Sequence, residues 1–187
     1  MKTLIEIIEE QNLFKGNHKL GTDKEFVHQY ISHFYQEVFQ PLQEKPIRLF
    51  EIGTCSGASL KMWKHFFVNG KIEGVDNVNV MMDEYKENDV EYYHADAYYP
   101  NFVNWLPMYD IIIDDGPHTL QSQLEFLRLY PAKLNDGGML IIEDIDTDEA
   151  IEQLSAKALE VFGKPANVID RRKEINLSNE VLLWIQK

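Results

Sequence analysis

The chain has 187 residues, 44% hydrophobic and 26% charged, which supports one domain with a real core and excludes both two comfortable domains and a disordered chain. Its formal charge of −13, with Lys and Arg scattered rather than clustered, argues against broad binding to nucleic-acid phosphate, which needs a cationic face. No apolar run approaches the roughly 20 residues of a membrane span, and the glutamates in "MKTLIEIIEEQ" are unlike a signal peptide's apolar core, so the expectation is a cytoplasmic protein with a small-molecule partner and no membrane or nucleic-acid partner.

In chain order, the apolar positions Leu4, Ile5, Ile8 and Leu13 have helical spacing and predict a first amphipathic helix. The segment "KGNHKLGTDKE" breaks it with Gly16 and Gly21. Thr22 with Glu25 three residues on has the form of a capping box, predicting a second helix through "FVHQYISHFYQEVF" that Pro41 and Pro46 close.

From Ile47 onward short apolar runs alternate with helical patterns. Strands are predicted at "IRLFEI", "KIEGVD", "VEYYHA", "YDIIID" and "GMLIIED", with helices starting near Ser56, Asn79, Thr119 and Thr147. That alternation predicts a parallel sheet covered by helices on both faces. "NVID" and "EVLLWIQ" flank the polar "RRKEINLSN", which carries no helical pattern, and read as an antiparallel pair completing the sheet. The expectation is one domain: residues 46–187 form a doubly wound α/β core with a mostly parallel, seven-stranded sheet and a C-terminal antiparallel hairpin, and residues 1–45 add two N-terminal helices. Ligands of such a sheet bind beyond the carboxyl ends of the strands.

"EIGTCSG" ends the first strand. Gly53 and Gly57 allow a ligand close to the backbone, and the spacing is looser than the dinucleotide fingerprint, which suits a ligand without a pyrophosphate. A plain packing corner is the alternative. Asp76 ends the second strand where a carboxylate can accept from both ribose hydroxyls, and Asp96, beside Ala97 in "HADAYY", stands where it could accept from an adenine amino group. Each acid alone could be a helix cap, but acids end all five strands: Glu51, Asp76, Asp96, Asp114 and Glu143. An adenosine-type ligand is therefore favoured.

"IIIDDGPH" and "LIIEDID" bring Asp114, Asp115, His118, Glu143 and Asp144 to the same mouth. Carboxylates so crowded repel unless a cation neutralises them, and oxygen ligands without thiolates favour Mg²⁺. Solvated caps are the alternative, preferred for Asp146 and Asp148; a metal is preferred for Asp115, Glu143 and Asp144. His118 could take a proton from a hydroxyl made acidic by the metal, or could simply pack the next helix. His28, His33, His65 and His94 read as surface or core. The single Cys55 excludes a disulfide framework and reads as a small filler, with a nucleophile as the alternative.

Taken in order, "GTDKEFVHQY", "FEIGTCSGASLKMWKHFF", "KIEGVD", "YDIIIDDGPH" and "GGMLIIED" resemble the S-adenosylmethionine-dependent O-methyltransferases of the macrocin and mycinamicin type, from about Gly21 to Asp144. The resemblance implies a Rossmann-like class I methyltransferase and Mg²⁺-assisted methyl transfer to a sugar hydroxyl. It implies that Glu51, Gly53 and Ser59 line the methionine end of the cofactor, with Gly57 in the same loop. It likewise implies Asp76 on the ribose, Asp96 with Ala97 at the adenine, and Asp114 among the cofactor-binding residues. Asp115, Glu143 and Asp144 would hold the metal, and His118 would be the base. Gly21 to Lys24 resembles the family's N-terminal lid, from which Thr22 and Asp23 could reach the cofactor.

A sugar or glycoside acceptor and a homo-oligomer are implied as well. Pro117 stands where the family usually has Ser, stiffening the turn, and Ser122 stands where a second His often follows. Without the large auxiliary N-terminal region of some relatives, a macrolide acceptor is not expected. Two other readings stay open: a protein that senses the cofactor without methyl transfer, and a nicotinamide-dependent oxidoreductase, which the loop spacing disfavours.

Overall fold

A computed structural model describes residues 1–14, 21–176 and 178–187; the break expected at Gly16 lies outside the described residues. The strands are β1 (Arg48–Ile52), β2 (Lys71–Asp76), β3 (Val90–His94), β4 (Tyr109–Asp114), β5 (Leu134–Ile142), β6 (Asn167–Asp170) and β7 (Val181–Gln186). They form a seven-stranded sheet in the order β3-β2-β1-β4-β5-β7-β6. β1 through β5 pair in parallel, while β7 pairs antiparallel with both β5 and β6. The expected doubly wound sheet with a terminal antiparallel hairpin is the observed one.

Side chains of a strand alternate between faces, and here both faces are covered. Leu49, Ile111, Ile113, Met139, Ile141 and Leu182 enter one core with α1 (Leu4–Glu10), α2 (Gln36–Phe39) and α3 (Ala58–Phe66). Phe50, Ile52, Ile112, Leu140, Ile142 and Leu183 enter the other, with α4 (Pro100–Trp105), α5 (Leu120–Leu129) and α6 (Asp148–Phe162). This double burial is why the central strands read as unbroken apolar runs rather than alternating ones. Among the described residues no helix is long and apolar enough to cross a membrane.

Register builds the functional edge. Val75 lies opposite Ile52, Ile52 opposite Asp114, and Asp114 opposite Ile142. The next residue on each strand, Asp76, Gly53, Asp115 and Glu143, therefore falls in one row at the carboxyl end. The ladder extends into that row: Gly53 N–H donates to the Val75 carbonyl at 2.9 Å, Asp115 to Ile52 at 3.0 Å and Glu143 to Asp114 at 3.0 Å.

Several elements differ from expectation. α1 ends at Glu10, and Asn12 adopts φ 50°, a left-handed conformation Asn tolerates; its capping box is formed by Thr3 and Glu6. Thr22 starts no regular helix. Val27 and His28 N–H bond the Asp23 carbonyl in a single turn, Gln29 breaks it at φ 55°, and the helical segment opens as a π turn over Ile31–Tyr35 before α2. No helix starts at Asn79. Residues 77–82 run extended over the glycine loop, with Met82 N–H on the Ser56 carbonyl at 3.0 Å and Val78 N–H on Asp76 at 2.9 Å, and only a 3₁₀ turn, Asp83–Tyr85, follows. α4 was not anticipated, although Pro100 at its first turn is a favoured helix opener. β5 begins earlier than its apolar run, with a register irregularity against β4, and the polar segment before β7 contains a short helix α7 (Arg172–Ile175) closed by left-handed Asn176.

Ile112 is fully buried at the centre of the sheet. Ile112→Ala is expected to cost about 2–5 kcal/mol and Ile112→Val about 1 kcal/mol, measured by urea unfolding; equal costs would mean that the site collapses around the deletion.

Candidate functional site

The corner after β1 depends on two glycines. Gly53 has φ 82°, and a Cβ there would lie 1.8 Å from the Asp115 carbonyl oxygen; Gly57, φ 93°, caps α3 and would put a Cβ 2.1 Å from the Met81 sulfur. Only glycine combines these dihedrals with that closeness. Asp76 then locks the loop to β2, its Oδ2 accepting from Cys55 N–H at 2.8 Å and its Oδ1 from Val78 N–H.

Beyond this corner lies a crevice of about 510 Å³, within the usual range of small-molecule sites. Of the residues singled out from sequence, Thr22, Gly53, Ser59, Asp76, Asp96, Ala97, Asp115 and His118 line it, together with Lys24 and Tyr98. Glu51, Gly57, Asp114, Glu143 and Asp144 do not line it. Glu51 is fully buried, with Oε2 accepting from the Trp63 indole at 2.6 Å; burial raises its pKa against the pull of Lys24. Asp114 accepts from the Tyr98 hydroxyl at 2.6 Å while its Oδ2 has no hydrogen-bond partner among the described residues, and burial lifts it to about 7.

At one end of the crevice the carboxylates meet donors from residues 24–35. Lys24 is 1% exposed, with Nζ 2.7 Å from Asp115 Oδ2, 2.6 Å from Glu143 Oε2 and 3.4 Å from Glu51 Oε1. The other oxygen of Glu143 accepts from the Tyr35 hydroxyl. Asp144 Oδ1 accepts from the Tyr30 hydroxyl at 2.8 Å, and His28 Nδ1 lies 2.9 Å from the fully buried Glu180 and 3.5 Å from Asp144. Burial works against the Lys24 charge, but Asp115, Glu143 and Glu51 outweigh it and raise its pKa. Burial raises the Glu143 and Asp144 carboxyls, opposed by Lys24 on the first and by His28 and His118 on the second.

His118 bridges two of these acids: Nε2 is 3.1 Å from Asp115 Oδ1 and Nδ1 is 3.6 Å from Asp144 Oδ2. Burial lowers its pKa, yet the Asp115 hydrogen bond and the Asp115, Asp144 and Glu143 charges carry it from 6.5 to about 9. Asp115, His118 and Asp144 offer ligand atoms within 4.8 Å of one another, a carboxylate-rich set suited to a hard divalent ion. Glu143, grouped from sequence with Asp115 and Asp144, has both oxygens engaged by Lys24 and Tyr35.

Six non-glycine residues among those described have positive φ; two are asparagines, and the other four are Gln29, Cys55, His118 and Asp144. Of these, Cys55 and His118 line the crevice and Asp144 offers a ligand atom beside His118, strained positions of the kind found at functional sites. Cys55 lines the crevice with its thiol pushed up by burial, the reverse of an activated nucleophile. His33, His65 and His94 are exposed and do not line the crevice. Asp148 opens α6 and pairs with Arg172, beside the Thr147 cap.

Lys24, Tyr30, Tyr35, Tyr98 and Glu180 were missed from sequence. Lys24 sits inside the quoted "GTDK" and Tyr98 inside the quoted "HADAYY", so their motifs were visible; Tyr30 and Tyr35 read only as apolar helix positions.

No protein-family model matches the chain. It is 32% identical over 139 residues to an 8-demethyl-8-alpha-L-rhamnosyl tetracenomycin-C 2'-O-methyltransferase of Streptomyces olivaceus, covering 68% of this chain and 36% of that protein. It is 31% identical over 140 residues to mycinamicin VI 2''-O-methyltransferase of Micromonospora griseorubida, covering 65% and 33%. The chain thus spans about a third of the length of the curated relatives it matches. Among solved structures, the MycE methyltransferase of the mycinamycin biosynthetic pathway, in complex with Mg, SAH and mycinamycin VI, aligns with TM-score 0.62 and 26% identity over 76% of this chain and 37% of that one.

Trp63→Phe removes the indole donor on Glu51 Oε2 and is expected to cost about 1.5–3 kcal/mol in chemical denaturation. Wild-type stability would mean that Glu51 does not depend on the indole.

Proposed function

We propose that this chain, whose sequence resembles the macrocin- and mycinamicin-type sugar O-methyltransferases and whose fold is that of class I methyltransferases, carries out S-adenosylmethionine-dependent methyl transfer to a hydroxyl of a sugar or other small molecule. The observation that carries the reading is the crevice itself: the Gly53 loop, Asp76, Asp96 and His118 open onto one space, with Asp115 and Asp144 at its end. The net charge of −13 favours a small acceptor over nucleic acid. A single cysteine fits a cytoplasmic setting, and a homo-oligomer is part of the same proposal.

When bound, the cofactor supplies an electrophilic methyl group, and Mg²⁺ supplies a Lewis acid that increases the acidity of the acceptor hydroxyl. Asp115 and Asp144, grouped with His118, would hold the ion. Gly53 leaves the backbone bare beside the crevice, and Ser59 opens α3 at the methionine end. Asp76 keeps a lone pair on each oxygen free of its loop contacts for the ribose hydroxyls, and Asp96 with Ala97 faces the adenine end. Thr22, on the segment that covers the crevice, helps keep water out. His118 is the base in its neutral form. As the acceptor oxygen forms its bond to the methyl carbon, the methyl–sulfur bond breaks with its electron pair going to sulfur, leaving SAH, and the hydroxyl proton passes to the neutral imidazole. That requires the charges of Asp115 and Asp144 to be engaged elsewhere than on His118. The carboxylates that would hold the ion are those that keep His118 protonated, so metal binding and proton acceptance draw on the same two side chains.

Calorimetric titration with S-adenosylmethionine, SAH and NAD tests the cofactor. The methyl donor and SAH are expected to bind, NAD is not, and Asp76→Ala is expected to lose at least about tenfold in affinity; an unchanged affinity overturns the ribose assignment. His118→Ala is expected to bind SAH as wild type does while transfer to screened sugars and glycosides falls by about 10²–10⁴-fold. Undiminished transfer removes His118 as the base, and cofactor binding with no transfer to any acceptor favours the sensor reading.

A further inference from the structure

The role of Lys24 extends beyond neutralising charge. It rises from the covering segment to make ion pairs with residues 91 and 119 positions away, Asp115 and Glu143, and lies 3.4 Å from Glu51 as well. An ammonium has three donors and no acceptor, and this one points at three carboxylates on three adjacent strands: β1, β4 and β5. Glu143 is 2% exposed and its second oxygen is taken by Tyr35, so neither oxygen faces the crevice free. Asp115 divides its carboxylate, Oδ2 to Lys24 and Oδ1 to His118. Asp144 gives Oδ1 to Tyr30 and leaves Oδ2 toward His118. The oxygens that remain for a ligand are thus Asp115 Oδ1 and Asp144 Oδ2, both on the His118 side.

We infer that Lys24 is a positioning residue: a built-in cation that ties the Gly21–Tyr35 segment to the strand ends, commits Glu143 to the protein interior, and leaves Asp115 and Asp144 as the only carboxylates of the trio that face a divalent ion. The inference rests on the proposed methyltransferase reading for the identity of that ion, but not for the ion pair itself. It makes the acidic trio unequal. Glu143 acts through Lys24 on the shape of the site, whereas Asp144 meets the ion directly.

Two measurements test it. Mn²⁺ is titrated, by electron paramagnetic resonance in the presence of SAH, into wild type, Glu143→Gln and Asp144→Asn. Glu143→Gln is expected to weaken Mn²⁺ binding at least about tenfold less than Asp144→Asn does; equal losses overturn the inference, because Glu143 would then be a ligand in its own right. Thermal melting of Lys24→Met, Glu143→Gln and the double variant reads the pair independently of any metal. Lys24→Met is expected to lower the melting temperature and to lose SAH affinity, and Glu143→Gln in that background to restore part of the melting temperature by removing an unpaired buried carboxylate. Strictly additive shifts overturn the pairing. If Lys24→Met does not fold, the Mn²⁺ comparison alone decides. If wild type binds neither SAH nor Mn²⁺, the functional proposal fails while the melting cycle still decides the role of Lys24.

Discussion

Taking several carboxylates out of water at the end of one sheet is the constraint on which the rest of this structure depends. Each costs several kcal/mol when desolvated and repels its neighbours, and the cost is recovered only where a cation or hydrogen-bond donor of good geometry faces it. Glu51, Asp115, Glu143 and Asp144 are brought together by strand register, and β1, β4 and β5 supply few donors of their own. Beside Trp63 on Glu51 and His118 on Asp115, the donors come from a short stretch far away in sequence: Lys24, His28, Tyr30 and Tyr35. What read as an added N-terminal extension is therefore electrostatically part of the core, and its regular helix starts only after Gln29, at φ 55°, breaks the turn that carries Lys24 and His28.

The sheet was legible for a physical reason. Strands buried on both faces are largely apolar, so "YDIIID" announced itself to the residue, "KIEGVD" was marked by its place in the strand–helix alternation, and the terminal pair by its polar connection. The start of β5 was hidden because Leu134 is followed by Asn, Asp and two glycines, and such a stretch carries no strand signal. The segment after β2 misled in the opposite way. The strand–helix alternation placed a helix near Asn79, but this backbone lies over the glycine loop, where Met81 packs against the bare Gly57.

Within the site, what was legible was local. The two glycines, Asp76, Asp96, Asp115 and His118 follow strands directly, and a strand end is a position that sequence fixes. Pairings between distant segments were not legible: nothing in "GTDK" says which carboxylates Lys24 will reach, and the tyrosines at 30 and 35 look like any other aromatic on an amphipathic helix. The same limit applies to Glu143, where being next to Asp144 in sequence suggested a shared role and the opposite faces of consecutive residues gave them different neighbours.

The position of β7 bears on how the chain is made. Synthesis delivers Lys24 well before its partners, 119 residues ahead of Glu143, and β7 last among the strands, although it occupies an interior place between β5 and β6. Until β7 emerges, β5 presents an open, apolar edge of the kind that pairs with other chains, and the aromatic residues around Phe34 lack Trp184, which packs 5.7 Å from that ring. The nascent protein thus passes through a stage in which an almost complete sheet still exposes the edge of β5 to pairing with other chains.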